Sequence, residues 1–480
     1  MKRTKYLVLS VSVIALASCA NSPITDKNLP VPDISANWNT PGAISEDVRD
    51  GWLNDLKVDA LSDFVAEVLK NNPGYQAQIH RMISAGYNLK VTQGNFYPTL
   101  NASLGDSRRS IQNPFTPSNN ISLGLNTRWE IDVWSRLSAQ TGASRATYNA
   151  SRADLAGARL SLAAQVAQNW FDVMEAQDQV DLAKKTVESF ERATKIARDR
   201  FSRGLNTGLD LRLIISSLED SRATLSSREN QLGQQKRRLE ILAGRFPSAQ
   251  VIATGKIPDL TEDVPAGLPI TLLERRPDLQ AARAKLVSAG YNSKAANKAL
   301  LPQLVLTASG NNTSPGFNNI LKFDNIFWNV LANITQPIFQ GGKLHYTAKA
   351  QEELFEAAKK DYASTVLAAF KEVEDALSSE RALKQQVIHT RLAAEKAIDA
   401  EKVALDQYSR GLIKVSVLLQ SQRQSLAQQS QLISVKKQQI NNRIALYLAL
   451  GGDFAAKEDI QDTTNKTRAL QSTTNHGNTL

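Results

Sequence analysis

The chain has 480 residues, of which 42% are apolar and 22% charged; this composition excludes an intrinsically disordered protein, and the length exceeds that of one ordinary core. A net charge of +10 raises the question of nucleic-acid binding, but Lys and Arg are scattered along helical stretches rather than clustered. We therefore predict solvated helix surfaces and no nucleic-acid partner.

The first twenty residues have the pattern of an export signal. Basic Lys2 and Arg3 precede an apolar run that ends in Leu16-Ala17-Ser18-Cys19, and small residues before a cut are typical of a secretory signal. Because the cut would fall before a cysteine, the pattern resembles a bacterial lipobox, in which the thiol receives the lipid. We predict a signal peptide over residues 1–18, lipidation of Cys19 and a lipidated, extended segment over 19–58; an ordinary buried cysteine is the alternative. Ala20, by resemblance to other lipoproteins, favours the outer membrane.

The rest of the chain contains an internal duplication. The pentapeptide SAGYN occurs at residues 84–88 and 288–292, and flanking prolines keep the same register. The tripeptide RGL recurs at 203–205 and 410–412. A shared order of elements over about 200 residues is the signature of a repeat. We predict a first repeat over 59–246, a linker over 247–268, a second repeat over 269–452 and a flexible tail over 453–480.

Each repeat begins with a helix that starts at a proline, Pro73 or Pro277, and continues into alternating segments. Apolar and polar residues alternate most clearly over Ile121–Val133. Such segments are typical of membrane β-barrel strands, although a half-buried soluble sheet has the same pattern. Four strands cannot close a membrane barrel, which needs about 8 or more, so several chains would have to share one. The predicted strands are Leu100–Ser107, Ile121–Trp134, Leu304–Ser309 and Trp328–Phe339.

Two very long helices follow the strands. From Val166 to Phe201, apolar residues recur at a mean spacing of about 3.5, the periodicity of coiled coils. Helices over about Ser138–Arg203 and Lys343–Arg410 would each be about 100 Å long at 1.5 Å per residue. Return helices are predicted over Asp210–Ala243 and Val415–Leu450. The fold class is thus an internally duplicated membrane protein that combines four β-strands with long, coiled-coil-like helices.

Four stretches of this sequence resemble the TolC-like outer-membrane efflux proteins, and within them the lipoprotein branch that serves tripartite pumps. With the lipobox, they span nearly the whole mature chain. They are WEIDVWSRL at 129–137, AGLPITLLERRPDLQAAR at 266–283, QPIFQGGKL at 336–344 and LYLALGG at 446–452.

The resemblance implies a homotrimer in which each protomer gives four strands to a 12-stranded outer-membrane β-barrel and its long helices to a periplasmic α-barrel. It further implies three kinds of partner: outer-membrane lipid, a periplasmic adaptor (a membrane fusion protein) and an inner-membrane pump of the RND type. The expected function is passive conduction of small molecules, such as drugs and toxic compounds, to the exterior, as in multidrug resistance. Apart from the covalent lipid on Cys19, no cofactor is expected.

The resemblance also assigns roles to the turns between the long helices. Residues that contact the adaptor carry over to Gly204, Leu205, Gly411 and Leu412, although the glycines could equally be simple helix-ending turns. Gate residues carry over to Asp210, Tyr408, Arg410 and Gln420. In related channels Asp often occupies the positions of Val417 and Gln420, which puts a second acidic ring in doubt. Alternatively, Asp210 is only a helix-start carboxylate near the positive end of the dipole.

An enzyme is not expected, because the four histidines, His80, His345, His389 and His476, have no metal-ligand spacing such as HExxH. Two alternatives to an efflux channel stay open. One is an outer-membrane conduit for type I protein secretion, and the other is a non-pore periplasmic coiled-coil adaptor lipoprotein. A pore former should conduct as a trimer in planar bilayers, whereas an adaptor should not.

Overall fold

A computed structural model describes residues 35, 37–41, 50–112, 115–255, 257–260, 264–267, 269–322 and 326–453. The signal peptide, Cys19 and the tail beyond residue 453 lie outside these residues. The described chain forms two compact units. One unit contains His80–Ala153 and Leu279–Thr365, and the other contains the remaining described residues.

A short helix over Trp52–Asp55 lies inside the segment 19–58 that was expected to be extended. The first repeat then begins with two longer helices, and the second of them starts at the predicted helix-initiating proline. Pro73 supplies no N–H at a position that needs none, while the Asn72 side chain accepts a 2.9 Å hydrogen bond from the Tyr75 N–H. Two strands and a long helical hairpin follow. The elements are α1 (Trp52–Asp55), α2 (Asp59–Asn71), α3 (Pro73–Gly94), β1 (Thr99–Gln112), β2 (Phe115–Ile131), α4 (Arg136–Ser202) and α5 (Gly208–Leu242).

The second repeat has the same plan. Its elements are α6 (Leu272–Arg275), α7 (Pro277–Lys298), β3 (Gln303–Ser314), α8 (Phe317–Ile320), β4 (Phe327–Thr335), α9 (Lys343–Ser409) and α10 (Val415–Ala449). Helices α3 and α7 both have 22 residues, α4 and α9 both have 67, and α5 and α10 both have 35. The duplicated sequence therefore gives helices of equal length, and the long pair reaches the predicted span of about 100 Å.

The four strands form one antiparallel sheet in the order β1-β2-β3-β4. Its register places most apolar residues of the four strands on a common face, because residues directly opposite in antiparallel strands point the same way. Val305, Phe327 and Leu331 lie on the other face. Trp129 is opposite Leu306, which is opposite Ala332. The face is exposed, with 74% of Trp328 accessible. An exposed apolar face is typical of a membrane-contacting sheet rather than of a half-buried soluble one.

The predicted number of strands is confirmed, but their boundaries were wrong. Strand β1 continues to Gln112 and not to Ser107, β2 begins at Phe115 and not at Ile121, and β3 continues to Ser314 and not to Ser309. Strand β2 ends at Ile131 and not at Trp134, because the Asp132 side chain already accepts hydrogen bonds from the first N–H groups of α4 and Ser135 has a left-handed φ of 63°. Strand β4 ends at Thr335 and not at Phe339, since Pro337 lacks the N–H that would continue the ladder.

The core of the helical region follows the predicted coiled-coil stripe. Along α4, nine of the eleven residues of the stripe are buried, from Val166 to Ala197, while Ala176 is half-buried and Phe201 exposed. This stripe packs the long helices side by side. Among the described residues, no helix combines the length and apolar character needed to cross a membrane.

Candidate functional site: the tips of the helical hairpins

Two five-residue turns join the long helices, 203–207 between α4 and α5 and 410–414 between α9 and α10. Gly204 has φ 74° and Gly411 has φ 82°, the left-handed region in which glycine is favoured. Leu205 N–H donates to the Arg200 carbonyl at 2.8 Å, and Leu412 N–H donates to the Gln407 carbonyl at 2.9 Å. This 6→1 bond after a left-handed glycine is the Schellman motif, so both glycines end helices.

A leucine follows the glycine in each turn and points into solvent. Leu205 is 62% exposed and Leu412 69% exposed. Exposure of a leucine side chain to water is unfavourable compared with its burial. The four predicted adaptor-contact residues, Gly204, Leu205, Gly411 and Leu412, therefore form two small, exposed apolar knobs, one on each turn.

Behind the turns the four long helices share a hydrophobic core, and Tyr408 is its largest member near the second turn. Only 2% of Tyr408 is exposed. The ring is packed among aliphatic side chains from all four helices, which holds both hairpins together at this level. The buried members are Val187, Phe190, Ala193, Ala197, Ile214, Leu218, Ala404, Tyr408, Val415, Leu418 and Leu419.

The hydroxyl of Tyr408 has a polar partner in the other hairpin. Asn206 Nδ2 donates to the Tyr408 hydroxyl at 2.7 Å, and Asn206 Oδ1 accepts from Arg200 Nε at 3.1 Å. The Arg200 guanidinium also lies 5.6 Å from the centre of the Tyr408 ring, within the range of a cation–π contact. We call these three residues, Arg200, Asn206 and Tyr408, the tip latch.

The second turn contacts the tip latch through Gly411. A Cβ atom at Gly411 would lie 2.9 Å from Arg200 Nη1, whereas a Cβ at Gly204 would meet no atom within 4 Å. Glycine at 411 thus serves both the left-handed backbone and the close approach of Arg200.

Burial of Tyr408 raises the pKa of its hydroxyl, because the phenolate would lose hydration in the core. The hydrogen bond from Asn206 and the positive charge of Arg200 act in the opposite direction, and Asp210 adds to the increase. Tyr408 is therefore neutral at physiological pH and can both accept from Asn206 and donate.

Asp210 lies in the first turn of α5 and is engaged in a capping box. Its carboxylate accepts from the Thr207 N–H at 3.2 Å and from the Thr207 hydroxyl at 2.8 Å, while the Asp210 N–H donates to Thr207 Oγ1 at 3.2 Å. These bonds satisfy N–H groups that a helix start leaves free and place a negative charge at the positive end of the helix dipole. The geometry matches the helix-start interpretation of Asp210 and is compatible with an additional role in a pore.

The other two gate candidates lie on the surface and not in the tip latch. Arg410, the first residue of the second turn, pairs with Asp406 in the last turn of α9 at 3.0 Å, and both side chains are exposed. Gln420 is exposed on α10, as is Val417. In the part of the chain that the structure describes, no side-chain hydrogen bond involves Gln420, and no group of three or more His, Cys, Asp or Glu residues is arranged to hold a metal ion.

Sequence reasoning missed Asn206 and Arg200, which complete the tip latch. A signal was present, since the repeats stop matching after Leu205 and Leu412, where Asn206 stands opposite Ile413. Ile413 packs against the shared core, whereas Asn206 bonds to Tyr408. A polar residue that replaces an apolar one in an otherwise faithful duplication was the available clue.

Comparison with known proteins gives concordant matches. Residues 64–245 and 268–452 match the family described as Outer membrane efflux protein. The probable outer membrane lipoprotein SilC of Salmonella typhimurium is 26% identical over 464 residues, 94% of this chain and 99% of SilC. The toluene efflux pump outer membrane protein TtgF of Pseudomonas putida is 24% identical over 470 residues, 94% of this chain and 97% of TtgF. The Campylobacter jejuni CmeC outer membrane channel superimposes with a TM-score of 0.85 at 23% identity, over 93% of this chain and 98% of CmeC.

Proposed function

Because the chain belongs to the outer membrane efflux protein family and is an outer-membrane efflux channel, we propose that it works as a homotrimer whose three sheets close into one 12-stranded barrel. The observation that carries this proposal is a sheet of four strands with one continuous apolar face and open edges at β1 and β4. Unpaired edges are not tolerated in a bilayer, and four strands are too few to close a barrel.

Reconstitution of the purified full-length protein tests this directly. Native mass spectrometry should give a trimer, and planar bilayers should show discrete conductance steps. Val330→Pro on the edge strand β4 should lower the yield of trimer, since proline disturbs an edge that must pair with a neighbour. The matched control Val330→Ile keeps every backbone donor and should behave like wild type. A conducting monomer, or a trimer without conductance, would contradict the proposal.

The channel is completed in the periplasm by an adaptor and by an inner-membrane pump of the RND type. Support comes from the exposed Leu205 and Leu412, which offer apolar contacts that an adaptor hairpin could cover. Crosslinking from cysteine at Leu205 or Leu412 in a cell that expresses the cognate adaptor tests the contact, with a cysteine at exposed Asn230 of α5 as control. Equal crosslinking at all three positions would remove the turns from the docking surface.

The gate lies at the hairpin tips, and Tyr408 is its principal residue. Tyr408 joins the two hairpins through Asn206, so separation of the tips must break this bond. Asp210 adds a carboxylate near the same turn, and exposed Arg410 and Gln420 would act only through charge or size at the pore surface. Because Val417 and Gln420 are not acidic, we expect weak cation selectivity at this constriction. Single-channel recording of Tyr408→Phe should show more frequent or larger openings than wild type.

Lipid on Cys19 anchors the mature chain, in keeping with the lipoprotein name of SilC. Metabolic labelling with a clickable palmitate analogue should mark wild type and not Cys19→Ser. Labelling of both proteins would place the lipid elsewhere.

The cargo is small molecules, toxic compounds among them, and conduction is passive, without catalysis. TtgF is named for toluene, and at 24% identity that cargo is one possibility to test rather than a property transferred. Deletion of the gene followed by growth in toluene, antibiotics and metal salts would identify the cargo class. Loss of an exported protein with unchanged resistance would favour the secretion alternative.

A further inference from the structure

An open cavity of about 360 Å³ lies in the unit that contains the sheet. The start of α4 provides Ser135, Thr141 and Arg145, helix α7 provides Tyr291 and Lys294, and Phe96 lies after α3. Tyr291 forms a wall because its ring packs on α4 where Gly142 leaves room; a Cβ there would lie 2.8 Å from Tyr291 Cδ1. This volume is within the range of small-molecule sites, about 300–1,000 Å³.

The cavity carries two positive charges that no acidic side chain of the described residues neutralises. Across the described residues, neither Arg145 nor Lys294 has an ion pair with an acidic side chain. Two acidic residues close to Ser135 in the sequence are already engaged elsewhere. Glu130 pairs with Arg136 at 2.6 Å, and Asp132 accepts from the N–H groups of Leu137 and Ser138. The cavity is therefore suited to an anion. The N–H groups at the start of α4 would not bind this anion, because Asp132 already caps them.

The cavity also adjoins the membrane-facing sheet. Ser135 comes four residues after the end of β2, and β3 begins nine residues after Lys294. The indole N–H of Trp129, on the apolar face, donates to the Phe96 carbonyl at 2.8 Å, and that of Trp134 donates to the Pro302 carbonyl at 2.6 Å. Tryptophans with one hydrogen-bonded edge are typical of the boundary between bilayer and water. At the helix-bearing end of the strands, this boundary is the periplasmic leaflet.

We propose that this cavity binds the phosphate of an anionic phospholipid headgroup from the periplasmic leaflet. Arg145 and Lys294 would hold the phosphate oxygens, the Ser135 hydroxyl would add a donor, and the acyl chains would follow the apolar face of the sheet past Trp129. Basic pockets beside membrane-spanning segments bind anionic headgroups in this way. The inference depends on the outer-membrane location and not on the gate, the adaptor or the cargo.

The duplication supplies a matched control. Lys90 of α3 is the counterpart of Lys294, 204 residues earlier, but its ammonium lies 5.6 Å from the centre of its neighbour Tyr87 and it does not line the cavity. Among the residues that the structure describes, Arg228 on α5 bonds only to Gln231 on its own helix, at 3.1 Å. Replacing Lys90 and Arg228 thus removes one lysine and one arginine charge, as the test variant does, but leaves the residues of the cavity unchanged.

The test is native mass spectrometry of the delipidated full-length protein titrated with dioleoyl phosphatidylglycerol. Wild type and the Lys90→Gln/Arg228→Gln control should bind the lipid equally. Arg145→Gln/Lys294→Gln should bind it about tenfold more weakly or worse, since each cation near an anionic lipid contributes about 1 kcal/mol. Arg145→Lys/Lys294→Arg should restore binding, which separates lost charge from a damaged fold.

Three results would overturn the proposal. Equal phosphatidylglycerol binding by wild type and the double Gln variant would exclude the cavity. Equal binding of uncharged dioleoylglycerol would show that the acyl chains alone are recognised. Binding of inorganic phosphate that raises the unfolding temperature in a manner dependent on Arg145, without retention of phosphatidylglycerol, would make free phosphate the ligand and exclude the lipid.

Discussion

The two hairpin tips share a backbone and differ in their side chains. Both turns have a left-handed glycine, the same 6→1 hydrogen bond and an exposed leucine. Phe201 and Tyr408 are equivalent by the repeat, yet Phe201 is 45% exposed and Tyr408 is 2% exposed. The start of α5 has a capping box on Thr207, whereas Lys414 at the start of α10 provides no side-chain cap.

This difference indicates how a duplicated fold can acquire a gate. The repeated turn preserves helix geometry, so the rods keep equal lengths. The residues that differ between the repeats form the tip latch. The first tip provides Arg200 and Asn206, and the second provides Tyr408 and the space at Gly411. Two identical tips could not make this contact, because it joins unlike partners.

The largest expected effect comes from removing the buried ring. Tyr408→Ala leaves a cavity in the shared core and should lower the local free energy of unfolding at the tips by about 3–5 kcal/mol. Phe201→Ala, at the equivalent but exposed position, should cost less than about 1 kcal/mol. Hydrogen exchange of the tip amides in the purified channel measures both. Similar losses of unfolding free energy for the two variants would mean that positions 201 and 408 contribute equally to stability, despite their different burial.

Most of the fold was predictable because local patterns determine it. The apolar stripe from Val166 to Ala197 predicts long helices packed side by side. Pro73 and Pro277 predict where helices start, and the alternation in the strands predicts one apolar face. The tip latch was not predictable in the same way, since Asn206 and Tyr408 are 202 residues apart and meet only through the packing of two hairpins. The capping box was predictable from the sequence, because Asp210 follows Thr207 by three residues.

The next effect tests the close approach at the second tip. Gly411→Ala requires a left-handed non-glycine residue, which costs about 1–2 kcal/mol, and it also displaces Arg200 from the tip latch. Gly204→Ala carries the backbone cost alone. Gly411→Ala should therefore give the larger fall in tip protection and the larger rise in channel open probability. If Gly204→Ala has the stronger effect on gating, Arg200 does not act through Gly411.

A repeated motif does not guarantee a repeated contact, as the SAGYN copies demonstrate. At the first copy, Gly86 leaves room for the Tyr148 ring, whose Cε2 would be 3.3 Å from a Cβ at that position. At the second copy, Tyr291 is the inserted ring, and it packs at Gly142. Helices pack closely at both copies, but which partner provides the glycine depends on the neighbouring helix, which differs.

A smaller effect separates the two roles of Asp210. Asp210→Ala removes the capping box and should cost about 1 kcal/mol of helix stability, while Asp210→Asn retains an acceptor for Thr207 and removes only the charge. If the carboxylate lines the gate, both variants should lower cation selectivity in single-channel recordings. If it is only a cap, Asp210→Asn should conduct like wild type. Val417→Asp, which gives the second tip a carboxylate, should raise cation selectivity in the first case only.

The smallest effect is expected at Arg410. Arg410 is exposed, whereas Tyr408, two residues earlier, is buried in the shared core. The ion pair of Arg410 with Asp406, in the last turn of α9, is exposed, so solvent screening leaves it worth at most about 0.5 kcal/mol. Arg410→Gln should leave tip protection unchanged within error, and any change in conductance should disappear at 1 M salt, where the Debye length is about 3 Å. A salt-independent change in gating would instead show that Arg410 contacts a neighbouring protomer, because only a desolvated charge escapes such screening.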